Sequence, residues 1–268
     1  MFAKIVTGFF WDTYDNLGKI LLVNLLWFTI NIPGFLVIFG LLGTHTPISI
    51  LWVILIIPII LMSVTTMGMY HFTYLLVEQK DIKLIELFHG MKKYGARGVL
   101  YAFSYLVFLL VLLVNIRFYL NITGGIRMGG AILAGLAFWI ILFLLLVLQY
   151  LFPLLVRQNI PFKKLVLRSF LLVLDNLWIT LLVSSSSLGL IILTTLTGVG
   201  PMLFTTALVT LFGNNALYEI LAKYDKKPEP LLKPGEKPTS WHQILPKEQS
   251  KWRHENRGWK DILRPWDM

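Results

Sequence analysis

Hydrophobic positions fall into six long runs, at residues 18–42, 48–77, 98–119, 130–156, 177–196 and 201–221. A helix rises about 1.5 Å per residue, so about 20 apolar residues cross a hydrocarbon core about 30 Å thick. Each run reaches that length, and the longest need tilt or a kink to fit. The pattern predicts an all-α, polytopic membrane helical bundle with six transmembrane helices. Pro58 sits within the second run, where it removes one backbone hydrogen bond and kinks an overlong helix.

Shorter apolar patterns flank these runs. Phe2, Ile5, Val6, Phe9, Phe10 and Tyr14 follow helical spacing, with Lys4, Thr7, Asp12 and Asp15 on other faces. That spacing fits either an amphipathic helix in the headgroup layer or an extension of the first crossing. Leu84, Leu87, Phe88 and Met91 stand at i, i+3, i+4 and i+7. Pro161 suits a first helical position, ahead of Phe162, Leu165, Val166 and Leu167. Both segments are expected to be short interfacial helices, the alternative being irregular solvated loops. Leu75-Leu76-Val77-Glu78-Gln79 and Leu154-Leu155-Val156-Arg157-Gln158 also start their loops alike, with four of five residues identical. The match hints at a duplicated hairpin, relating the second and third crossings to the fourth and fifth.

Charge orients the bundle. If the runs cross in order, all but Arg117 and Arg127 of the 24 Lys and Arg residues lie on one side. Basic loops stay in the cytoplasm during insertion, so both termini are expected there, in a multi-pass protein of the cell membrane. Only 14% of residues are charged, against about 25% for soluble domains. The net charge of +10 then points to anionic lipid at the cytoplasmic face, and to no nucleic acid. With no cysteine, disulfides and thiolate-held metals are excluded. The first run is too long for a cleaved signal and reads as an anchor.

Polar residues inside the runs are the candidate functional positions, since burying them is costly. They are Asn24, Asn31, Thr65, Thr66, His71, Gln149, Asn214 and Asn215. They either line a polar path or join helices by hydrogen bonds. Catalysis has little support. The five histidines are scattered, with no i, i+4 pair for a helical zinc site. Gly198-Val199-Gly200-Pro201 lacks the lysine of a phosphate loop, and no hydrolase triad is visible. No catalytic residue, cofactor or metal site is predicted.

The chain divides into a transmembrane helical domain at 1–221 and a cytoplasmic tail at 222–268. Residues 226–238 hold four prolines and read as an extended linker. Beyond it stand Trp241, Trp252, Trp259 and Trp266 among basic residues. Tryptophans in such a setting contact either the bilayer surface or a cytoplasmic partner.

Asn24-Leu25-Leu26-Trp27 resembles the opening signature of the YesL-like family of bacterial membrane proteins. Met69-Tyr70-His71, Asp81-Ile82, Phe88 and Lys92-Lys93-Tyr94 resemble its cytoplasmic loop. Arg117-Phe118-Tyr119, Tyr150-Leu151-Phe152-Pro153 and residues 165–176 resemble its later parts. Pro33 and Thr65-Thr66 depart from the family pattern, because an extra apolar stretch separates them. The resemblance implies a membrane protein with no known catalytic residues, often encoded beside genes for carbohydrate uptake. Three function classes follow: a non-enzymatic accessory of a carbohydrate (ABC-type) uptake system with transporter subunits as partners, a small autonomous transporter or channel, and a lipid-directed membrane enzyme.

Overall fold

The computed structural model describes residues 1–42, 48–78, 82–122 and 127–224. The tail tryptophans 241, 252, 259 and 266 lie outside the described residues, as does the linker before them. The elements are helices: α1 (Phe2–Asp15), α2 (Leu17–Leu42), α3 (Ile48–Val77), α4 (Glu86–Leu120), α5 (Arg127–Gln158), α6 (Phe162–Asp175), α7 (Leu177–Leu196), α8 (Gly200–Leu203) and α9 (Thr205–Tyr224). Five of them, α2, α3, α4, α5 and α7, are long and apolar enough to cross a membrane. Their outer faces carry large exposed apolar side chains such as Leu36, Val114, Trp139 and Leu193. The protein is a multi-pass helical membrane bundle.

The sixth run departs from expectation. It divides at Phe204 into the single turn α8 and the 20-residue α9, and α9 is less apolar than the other long helices. The reason is its position. α9 packs against α1, α2, α3, α5 and α7, and ten of its residues are buried. A helix sheathed by other helices faces protein rather than lipid, so it tolerates Thr210, Asn214 and Asn215 where a lipid-facing helix does not.

The expected surface helix around Leu84–Met91 is also different. It is the beginning of α4, one continuous 35-residue helix about 52 Å long that outruns the hydrocarbon core. Its glycines do not break it, because they are where it presses on α3. A Cβ on Gly98 would lie 2.2 Å from Met67 Cγ, and one on Gly90 would lie 2.5 Å from His71 Cβ. On α3, Gly68 receives α4 in the same way, with Leu87 O 2.6 Å from its missing Cβ. Glycines on both helices, each receiving a larger neighbour from the other, allow the close approach that favours helix association in lipid.

Contacts among the helices reveal three similar arms. α3, α5 and α9 pack on one another at the centre. On each lies an amphipathic segment: α1 on α9, the first turns of α4 on α3, and α6 on α5. Each segment leads into an outer crossing (α2, the rest of α4, α7) that packs on the next central helix (α3, α5, α9). The sequence carries the same repeat. Residues 2–23 and 162–183 share Phe-x-Lys-x-Val-x3-Phe, followed after four residues by Asp-Asn-Leu-x3-Leu-Leu-Val. In both, the chain leaves helical geometry at the asparagine, with φ −123° and ψ 22° at Asn16 and φ −127° and ψ 40° at Asn176. α4 lacks that Asp-Asn pair and runs on without a break. The packing therefore extends the hinted hairpin duplication to a third arm.

Candidate functional site

The buried polar residues serve separate helix junctions. Asn24 of α2 reaches the break between α8 and α9. Its amide donates to Pro201 O (3.1 Å) and Met202 O (2.8 Å), while its Oδ1 accepts the Ala207 N–H at 2.8 Å. These are the orphan groups of one helix end and one helix start, so a single side chain caps both. Asn31 donates to Trp27 O (2.7 Å) and to Thr65 Oγ1 (2.9 Å), joining α2 to α3. Asn214 donates to Tyr70 O (3.0 Å) and Thr73 Oγ1 (2.8 Å), joining α9 to α3. Asn215 donates to Asp12 Oδ2 at 3.0 Å, joining α9 to α1.

Gln149 accepts from the Ser184 hydroxyl between α5 and α7, and His71 Nε2 lies 3.5 Å from Glu86 Oε2 between α3 and α4. Thr66 is half-buried on α3. The eight residues thus stand at different junctions. Asn31 with Thr65 is the pair among them joined by a hydrogen bond, so these two share a junction. Asn31 Oδ1, His71 Nδ1 and Gln149 Nε2 are buried with no hydrogen-bond partner among the described residues.

Asp12, which falls off the apolar spacing of the first helix, is only 5% exposed. Burial pushes its carboxyl up to about 7, with the Asn215 hydrogen bond opposing that rise and Asp15 adding to it. The same one-turn relation recurs across the arms. Gly8 abuts Asn215 as Gly90 abuts His71, and His71 packs on the Tyr94 ring at 5.5 Å where Asn215 meets Asp12.

At one end of the bundle the central helices converge on an ion pair. Arg157 of α5 bonds Glu78, just past α3, at 2.9 Å, and its guanidinium lies over the Tyr218 and Tyr74 rings at 5.2 and 5.9 Å. Tyr94 donates to Val156 O at 3.1 Å, and Arg97 donates to Asn159 Oδ1. Asn159 takes φ +49°, a turn conformation that asparagine tolerates better than most residues. On the rim, Tyr224 and Lys223 hydrogen-bond the Asp175 carboxylate and hold it below the usual carboxylate range. The first turns of α4 and the start of α6 flank this end on α3 and α5, and bring Lys92, Lys93, Lys163 and Lys164 with them, all exposed.

Sequence reading missed the Glu78–Arg157 pair, although a signal was present. The two residues close the repeated Leu-Leu-Val runs, and they carry opposite charges at matching positions. Among the described residues no three His, Asp or Glu side chains are grouped as metal ligands. Comparison with family models, curated proteins and solved structures gives no match.

Proposed function

We propose that the chain is a non-enzymatic accessory protein of the cell membrane, working beside a carbohydrate uptake (ABC-type) system. It crosses the membrane six times, with α9 as the sixth crossing, and both termini lie in the cytoplasm against anionic lipid. The observation that carries this reading is how the interior amides are used. Asn24, Asn31, Asn214 and Asn215 each bond a neighbouring helix. Interior polar groups engaged in this way fix a scaffold, and they leave the basic end as the surface for contacts. The carbohydrate link comes from the YesL-like resemblance alone. A crosslinking pull-down from native membranes tests the reading, comparing the full chain with one ending at Pro238. Transporter subunits recovered only with the full chain support it and give the tryptophan-bearing tail its role. Failure of both chains to recover any subunit counts against it.

A second reading, a small autonomous transporter or channel, is favoured by one observation. Buried, unpartnered polar atoms on Asn31, His71 and Gln149 are groups a passing solute or water could satisfy. Flux through liposomes containing the purified chain distinguishes it from the first.

A further inference from the structure

The third arm differs from the other two at one place. A cleft of about 710 Å³ opens where α6 meets the C-terminal turns of α5 and α9. Leu154 and Leu172 floor it, Leu171 and Leu174 form its outer edge at 53% exposure each, and Arg168 stands at its mouth. In the first arm the positions of Leu171 and Leu172 are taken by Trp11 and Asp12, both buried. In the second, Tyr94 fills the junction and bonds Val156 O. The position of Arg168 is Gly8 in the first arm and Gly90 in the second, each pressed against a central helix. The third arm therefore carries leucines in place of larger or polar fill, and an arginine in place of glycine.

We propose that this cleft holds one anionic phospholipid of the cytoplasmic leaflet, with its phosphate on Arg168 and an acyl chain along Leu171 and Leu174. Arginine presents five N–H donors in a planar fork suited to a phosphate. Gln158 takes one of them and steadies the fork across the mouth. Lys164, one turn before Arg168, adds positive charge. The nearby Asp175 carboxylate is already held by Lys223 and Tyr224, so it opposes an anion less. The apolar edge and the cationic mouth lie side by side, matching the chain and head of a lipid. A soluble anion has no use for the leucines.

The inference rests on the proposed cytoplasmic placement of the basic end. Native mass spectrometry of the full chain, with phosphatidylglycerol, phosphatidylcholine or glycerol phosphate added, tests it. Wild-type protein retains one phosphatidylglycerol. Arg168→Gln weakens that retention at least tenfold, and Leu171→Trp, which restores the first arm's residue at an exposed site, does the same. Wild-type retention of phosphatidylglycerol by both variants overturns the proposal. So does equal retention of phosphatidylcholine, or displacement of lipid by glycerol phosphate. A photocrosslinker at Leu171 that captures residues 225–268 instead of lipid overturns it too. Labelling of Asn159→Cys from each side of the membrane reports the placement separately, so failure of the cleft and failure of the orientation are distinguishable.

Discussion

Replacing Asn24 by leucine removes the amide but keeps the branched four-atom shape of the side chain, so the helix junction is tested more than the packing. The amide makes three hydrogen bonds at the α8–α9 break, two as donor and one as acceptor. Each bond is worth about 0.5–1.5 kcal/mol in soluble proteins and about 0.6 kcal/mol on average between helices in a bilayer. Two carbonyls and one N–H also lose their partner in a buried site, which moves the expected cost to about 2–4 kcal/mol. For a bundle of this size that lowers Tm by roughly 5–10 °C. Asn31→Leu is the internal comparison. It loses its bonds to Thr65 Oγ1 and to Trp27 O, the latter within its own helix, but also removes an unpartnered Oδ1, so its effect is expected to be smaller than that of Asn24→Leu. Thermal unfolding of purified protein in detergent, followed by size-exclusion fluorescence, gives both values. If Asn24→Leu melts within a degree or two of wild type while flux or partner capture collapses, the residue is functional rather than structural, and the reasoning fails.

Other predictions follow from single contacts. The Asp12 carboxyl is raised from 3.8 to about 7 by burial, so the folded state holds its proton more tightly than the unfolded state. Its contribution is therefore fully present below about pH 4 and is lost as pH rises through about 7, by up to about 4 kcal/mol. Asp12→Asn should flatten this part of the pH–Tm profile, and an unchanged slope excludes Asp12 as its source. Gly98→Ala places a Cβ 2.2 Å from Met67 Cγ, so overpacking of about 1–3 kcal/mol is expected between α3 and α4. Adding Met67→Ala should recover part of it, whereas strict additivity of the two changes would place the cost elsewhere. Glu78→Arg sets two arginines together at the charged end and should lower Tm by a few degrees. Arg157→Glu in the same chain should restore much of that loss, modestly because the pair is 21% and 27% exposed.

Much of this fold is legible from hydropathy, because lipid imposes length and composition on any helix that faces it. α2, α3, α5 and α7 follow the runs closely for that reason. The two departures have one cause: what a helix touches is not written in its own sequence. α9 is sheltered by its neighbours, yet its run reads in the sequence like the other crossings. The helical turns around Leu87 read as a separate surface helix until Gly90 and Gly98 prove to be contact points with α3. The sequence reading finds the repeat only as a five-residue stretch with four identities, although the longer match between residues 2–23 and 162–183 stands in the same sequence. For the candidate site, the polar residues could be named from the sequence but their partners could not. Asn24 and Ala207 are 183 positions apart, and only the folded bundle joins them.

The path of α9 decides whether the bundle crosses the membrane five times or six. Because the chain has no cysteine, one introduced thiol reports one position without ambiguity. Asn159, Thr197 and Ala222 are all exposed, and they lie after α5, between α7 and α8, and in the last turn of α9. Single substitutions to cysteine, labelled with a membrane-impermeant maleimide in intact cells and in inverted vesicles, read the side of each. Six crossings predict that Asn159→Cys and Ala222→Cys react only in inverted vesicles, and Thr197→Cys only in intact cells. Reaction of Thr197→Cys and Ala222→Cys from the same side would mean that α9 does not cross, and would contradict the account.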